Sequence, residues 1–240
     1  MLITRPFLFI AILLLSTASW SAGSKNNLYA DNITALPKNS RILVLPLYAN
    51  NLMNEEEQSQ IFQELISQLK ALNHTIDSPS FLELGGEEFA PQLEQNYSLL
   101  LSQNIKNTQK KADAKSNFAK IIQYVGPLVI MPSIVSRKAK LQGTNASWDN
   151  GVHYLRLKGT SSEFGWTGEI EGLSLKLEAY DNNGTWVFTS YGSVSLPVIA
   201  NIKERKYIRK EHLFSHKKDA KKLKKGVKYA IYPIKKKLKL

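Results

Sequence analysis

Four carboxylates, Asp149, Glu163, Glu169 and Glu171, lie in sequence near the aromatics Trp148, Tyr154, Trp166 and Tyr180. Paired carboxylates beside aromatic platforms are what glycoside hydrolysis needs, one as acid and the other as base or nucleophile. Here the spacing fixes no distance between Asp149 and the pair Glu169 and Glu171, and acids in Gly/Ser-rich loops are ordinarily solvated. Trp148 and Trp166 remain candidate contacts for a glycan held without cleavage.

His212 and His216 are spaced i, i+4 and could share a helix face as metal ligands. No third ligand follows them, and the lysines around them repel a cation. His74 and His153 read as polar loop or strand positions. The chain has no cysteine, which removes thiol nucleophiles and the acylated cysteine of a lipoprotein. It also lacks the nucleophile-elbow, zinc-protease, P-loop and dinucleotide fingerprints. The expectation is a non-enzymatic protein without metal or cofactor.

Charge is the strongest chemical signal. From Lys203 to the end there are 14 Lys and 2 Arg against Glu204, Glu211 and Asp219, while the whole chain carries +12. The preceding 202 residues are therefore almost neutral. On a helical wheel Ala220, Leu223, Val227, Ala230 and Ile231 share an arc of about 100°. Lys217, Lys218, Lys221, Lys222, Lys224, Lys225 and Lys228 fill a separate arc of about 160°. That separation predicts a helix. Its small, branched apolar face suits close approach to a sheet better than a lipid interface, which takes Trp, Phe and several Leu.

Pro233 is expected to end this helix. Residues 234–240, with Lys235, Lys236 and Lys237, then form a basic tail. Tyr229 and Tyr232 stand among the lysines, where they either pack on a partner or cover lysine stems. Lysines and tyrosines together make a candidate interaction surface. Its partners are expected to be other envelope protein subunits, or an anionic membrane or lipopolysaccharide surface. Nucleic acid is disfavoured, because the arc contains no Arg for bidentate phosphate contact.

An envelope is expected from the N-terminus. Arg5 precedes the apolar run PFLFIAILLL and the small-residue stretch STASWSA, the pattern of a signal peptide over residues 1–22. Ten apolar residues span only about 15 Å as a helix, half of a bilayer core. Export without cysteine suits a bacterial periplasm, where the protein is expected in solution or peripheral to the outer membrane.

The elements that must position these groups follow from periodicity. After a polar leader, residues 23–40, RILVLPLY reads as a buried strand. Asn54 is a candidate N-cap with Glu57 three residues on. Ile61, Phe62, Leu65, Ile66, Leu69 and Leu72 then recur at helical spacing. Asn73 suits a left-handed C-terminal position, and Thr75–Ile76 can begin a second strand. Residues 78–116 read as a variable helical excursion, and a strand is expected within 124–141. Leu173, Leu175, Leu177 and Ala179 alternate with polar residues, and Asp181-Asn182-Asn183-Gly184 predicts a reverse turn. The expected fold is α/β (α+β): a single mixed sheet with helices packed on it, one domain over 41–233. It should hold an antiparallel hairpin near 169–197 and a C-terminal amphipathic basic helix.

The order Arg41-Ile42-Leu43-Val44-Leu45-Pro46, amphipathic helix, D-x-x-G hairpin and terminal amphipathic helix resembles small α/β envelope-assembly domains. These are the curli-secretion lipoprotein, the lipoprotein activator of penicillin-binding proteins, and the N-terminal domain of the Tol-Pal translocation protein. The resemblance implies a scaffold or assembly part of a secretion apparatus, appendage or wall-synthesis machine, with no catalytic residues. Two departures stand out: the lipidated cysteine is missing, and segments 78–116 and 143–168 exceed a minimal domain.

Overall fold

The computed structural model describes residues 27–29, 41–101, 118, 128–159, 166–181 and 183–237. The expected signal peptide, Glu163 and the last three residues lie outside them.

β2 (Arg41–Val44) begins the core. Its unbroken apolar run is explained by cover on both sides: Ile42 and Val44 join one hydrophobic cluster, Leu43 and Leu45 the other. α1 (Glu55–Lys70) follows, and its start is the capping box expected from the sequence. Glu57 N–H donates to Asn54 Oδ1 at 2.9 Å, and Asn54 N–H donates back to Glu57 Oε2 at 3.2 Å. Ile61, Leu65 and Leu69 are buried on its inner face. Asn73 ends the turn at φ +61, and β3 (Thr75–Asp77) pairs parallel to β2.

α2 (Phe81–Leu101) is interrupted at Gly86, where φ is +67, and it contains Pro91. Residues 78–116 were expected to be a variable excursion, yet the described part of that segment covers the second face of the sheet. Tyr97, Leu100 and Leu101 are buried against Leu43, Leu45, Val129 and Met131. The Tyr97 hydroxyl sits 2.8 Å from the Pro46 carbonyl and 3.2 Å from the Pro132 carbonyl, pinning α2 to the segment after β2 and to β4.

β4 (Leu128–Gln142) is the spine of the sheet. It lies parallel to β2 through residues 128–130 and antiparallel to β8 (Thr167–Asp181) along its whole length. The predicted turn joins β8 to β9 (Trp186–Ser195): Asp181 Oδ1 accepts from the N–H groups of Asn183 and Thr185. β1 (Asn27–Tyr29) pairs antiparallel with β9, so the leader contributes an edge strand and the domain begins before residue 41. The far half of β4 pairs with β5 (Asn145–Trp148), and β5 pairs with β6 (Gly151–Tyr154). Asp149 and Asn150 link them at φ +41 and +63, a two-residue hairpin turn in what the sequence reading took for a loop.

The eight strands run β1-β9-β8-β4-β2-β3, with β5 and β6 beside the far half of β4. A second, small sheet is formed by β7 (Leu157–Lys158), β10 (Val198–Asn201) and β11 (Lys206–Arg209) in the order β11-β10-β7. The single mixed sheet of the sequence reading is thus a large mixed sheet plus this small one. Val152 and Tyr154 are exposed while His153 and Leu155 are buried, and the chain passes from the large sheet to the small one between β6 and β7. α3 (Lys217–Ala230) and α4 (Tyr232–Lys237) close the fold, with α3 beside α1 on the first face of the sheet. Among the described residues no helix is long and apolar enough to cross a membrane.

Candidate functional site

Leu223, Gly226, Val227 and Ala230 recur at i, i+3, i+4 and i+7 and are the buried face of α3. Ala220, assigned to that face from the wheel, is exposed, and Gly226 belongs there instead. A Cβ on Gly226 would stand 2.0 Å from the Ser193 carbonyl oxygen, and one on Gly192 would stand 1.9 Å from the Gly226 carbonyl oxygen. The helix and β9 therefore touch backbone to backbone. Ser190 Oγ donates to the Ala230 carbonyl at 2.5 Å, and Gln68 Nε2 of α1 donates to the Lys224 carbonyl at 2.9 Å.

This docking fixes the lysines on the outside. Lys217, Lys218, Lys221, Lys224, Lys225 and Lys228 are exposed, and Lys222 is half-buried, donating to the Val152 carbonyl of β6. Both tyrosines lie under neighbouring ammonium groups: Lys225 Nζ is 5.6 Å from the Tyr229 ring centre, and Lys236 Nζ is 5.6 Å from that of Tyr232. α3 ends at Ala230, before Pro233, but the tail expected after Pro233 is a further helix through Lys237. Pro233 is the second residue of α4, where its fixed φ suits a helix start. Ile234 is 1% exposed within the main core, so the domain extends past residue 233 and Lys235 and Lys236 project from an ordered helix. Lys237 is the last residue of α4.

At the N-terminal end of α3 a cleft of about 700 Å³ opens. β6 and the link after it supply His153, Tyr154 and Arg156. The end of β9 and the residue after it supply Val194, Ser195 and Leu196, the segment after β11 supplies Lys210, and α3 with its N-cap supplies His216, Lys217, Lys218, Asp219 and Lys222. Five cationic side chains thus face one carboxylate, Asp219, which is already ion-paired with Arg156. Burial lowers the Lys210 ammonium from its usual range, Asp219 opposes that, and Arg156 adds to it. His153 is 6% exposed. Burial lowers its imidazole to about 4; hydrogen bonding to the Ser193 carbonyl at 3.3 Å opposes this, and Lys222 and Lys210 reinforce it. The ring is neutral at pH 7.

The aromatic and acidic candidates separate. Trp148 is 8% exposed, lies against Gly172 and donates its indole N–H to Ser174 Oγ at 2.9 Å. It is a core side chain with no free face for a sugar, which corrects its reading as a glycan contact. Asp149 is buried, accepting from Ser174 Oγ at 2.6 Å and pairing with Arg137 at 3.3 Å. Glu169 and Glu171 are exposed on the opposite face of β8 from Gly172 and Ser174, and Glu169 pairs with Lys138 at 2.9 Å. Asp149 and these two acids flank no common space. Trp166 is half-buried with its ring 5.3 Å from that of Tyr207. His212 lies in the segment before α3 and His216 at its N-cap, so they share no helix face.

The cleft was not anticipated. Arg156 and Lys210 stand 54 positions apart, and only the switch of sheets after β6 and the turn after β11 bring them to the same helix end. Glu57 was recognised as a cap, but its longer reach was not: Glu57 Oε1 also accepts from the Leu213 N–H at 2.7 Å, fastening the segment before α3 to the start of α1.

No protein-family model matches the chain, and no curated protein matches it. Among solved structures it is similar to the PelC dodecamer from Paraburkholderia phytofirmans, with 10% identity over 87% of this chain and 94% of that one and a TM-score of 0.38. It is also similar to a neuraminyllactose-binding hemagglutinin homolog from Helicobacter pylori, with 12% identity over 88% and 94% and a TM-score of 0.34. A third is a hypothetical protein from Chlamydia trachomatis, with 8% identity over 64% and 71% and a TM-score of 0.30. None of these belongs to the group that the sequence resembles. Likenesses this distant transfer no residue roles, and the functional reading rests on the side chains of this chain.

Proposed function

We propose that the chain is a non-enzymatic, exported subunit of a bacterial envelope assembly that docks on an acidic partner surface through the lysine face of α3 and α4. The observation that supports this most is the coupling of that face to the core. A helix whose backbone lies on β9 fixes the Cα positions of its lysines, so the backbone loses little freedom on binding and only the side chains must be ordered. A tail ordered only by its partner would lose far more. Rim lysines on such a surface steer encounter and set register more than they add affinity.

Pull-down of the mature protein from crosslinked cells tests the proposal, with Lys224→Glu/Lys228→Glu beside wild type. Recovery of a defined envelope protein with wild type and its loss with the variant supports docking. Recovery of the chain alone from both contradicts it. If anionic liposomes rather than a protein retain the wild type, and salt releases it, the lysine face is a membrane or lipopolysaccharide foot and the subunit reading fails.

A further inference from the structure

We infer that the cleft between β6 and the start of α3 binds the phosphate group of a small polar molecule or a lipid headgroup. Three separate segments send cations into it: Arg156 follows β6, Lys210 follows β11, and Lys217, Lys218 and Lys222 belong to α3. Their mutual repulsion is a standing cost in the free protein. The one carboxylate present, Asp219, is spent on Arg156.

Lys210 makes the need for an anion concrete. It is half-buried, and among the described residues its ammonium forms no hydrogen bond and no ion pair within 4 Å. Burial disfavours its charge and Asp219 offsets this only from beyond ion-pair distance, so an oxyanion in the cleft would supply a direct partner. Phosphate fits better than carboxylate because Lys210, Lys217, Lys218 and Arg156 present more donors than two oxygens can accept, and lysines engage phosphate as point charges. The first turn of α3 opens into the same space and adds a favourable dipole end. The volume, about 700 Å³, is that of a small-molecule site rather than of a lone ion. The exposed Tyr154, beside the buried Val194 and Leu196, gives its remaining wall an aromatic face on which a sugar or glycerol can lie.

This site uses Lys217, Lys218 and Lys222 at the start of α3, and it is distinguished from the proposed docking face by the lysines of that face that lie outside the cleft, Lys221, Lys224 and Lys228. The test uses the mature chain titrated with inorganic phosphate, glycerol phosphate and acetate, followed calorimetrically and through the Lys217 and Lys218 amide resonances. Phosphate probes should bind, acetate should bind at least about tenfold more weakly, and Lys210→Gln should weaken phosphate binding by about tenfold or more. Lys228→Gln should leave it within about twofold while impairing partner docking, so failure of either reading is visible separately. Phosphatidylglycerol vesicles distinguish the source: release of bound vesicles by glycerol phosphate marks a headgroup site, and absence of vesicle binding marks a soluble phosphate compound. Should Lys210→Gln fold poorly, the wild-type amide shifts still decide. Unmoved Lys217 and Lys218 resonances, or equal losses in Lys210→Gln and Lys228→Gln, would overturn the assignment.

Discussion

Replacing Gly226 by Ala inverts an ordinary expectation. At an exposed position inside a helix the change stabilises by about 1 kcal/mol, because alanine is the better helix former. Here the added methyl would stand 2.0 Å from the Ser193 carbonyl oxygen and 2.7 Å from its carbon. Both atoms are β9 backbone and cannot rotate away. Restoring a separation of about 3.4 Å moves the helix out by about 1.4 Å, a gap that forfeits much of the dispersion contact of Leu223, Val227 and Ala230 with the sheet. Overpacking of this kind costs about 3 kcal/mol, and the gain in helix propensity leaves a net loss of about 2 kcal/mol. For a chain of this length that lowers the melting temperature by about 4–8 °C. Thermal and urea denaturation of residues 23–240 measure it, with Lys228→Ala as a surface control expected within about 0.5 kcal/mol of wild type. A Gly226→Ala protein as stable as wild type, or more so, would refute the backbone contact and with it the fixed lysine face.

Other outcomes follow from the same geometry. Glu57→Ala leaves the Asn54 cap in place but removes the reciprocal bond from the Asn54 N–H and strands the buried Leu213 N–H, so urea denaturation should show a loss of about 2 kcal/mol. Trp148→Ala should cost about 3–5 kcal/mol through the cavity it leaves, a loss that thermal melts will detect whether or not any glycan is present. His153, with a folded value of about 4 against about 6.5 unfolded, takes up its proton more readily in the unfolded chain. Its contribution is fully present above pH 6.5, declines as pH falls toward 4 and amounts to about 3 kcal/mol at most. His153→Gln should flatten the stability profile across that window; identical slopes for both proteins would contradict the burial assigned to the ring.

Local signals in the sequence carried the elements whose physics is local. Asn54 and Glu57 announce α1, Asp181 to Gly184 the β8–β9 turn, and the segregation of Lys from Leu223, Val227 and Ala230 the docked helix. Features that depend on contacts between distant segments were hidden. α2 has Gly85, Gly86 and Pro91 in its first half, so its stripe looked too broken to cover a sheet face, although Tyr97, Leu100 and Leu101 do so. Gly226 carries no apolar signal, yet its missing side chain is what admits β9. Trp148 looked like a sugar platform because indoles serve that use on surfaces; its partners Gly172 and Ser174 lie more than 20 positions away. Asp149-Asn150-Gly151 is a turn signal as strong as the later one, but the strands it joins are only four residues each, too short for alternation to mark them.

The central claim is that α3 is a rigid part of the fold that offers its lysines to one acidic envelope partner. Photo-crosslinking in intact cells, with the reactive residue placed in turn at Lys221, Lys224 and Lys228 and at Thr75 on the far edge strand, tests it most directly. Adducts of one defined mass from the three helix positions and none from Thr75 are predicted. Equal adducts from all four positions, or lipid adducts alone, would contradict it.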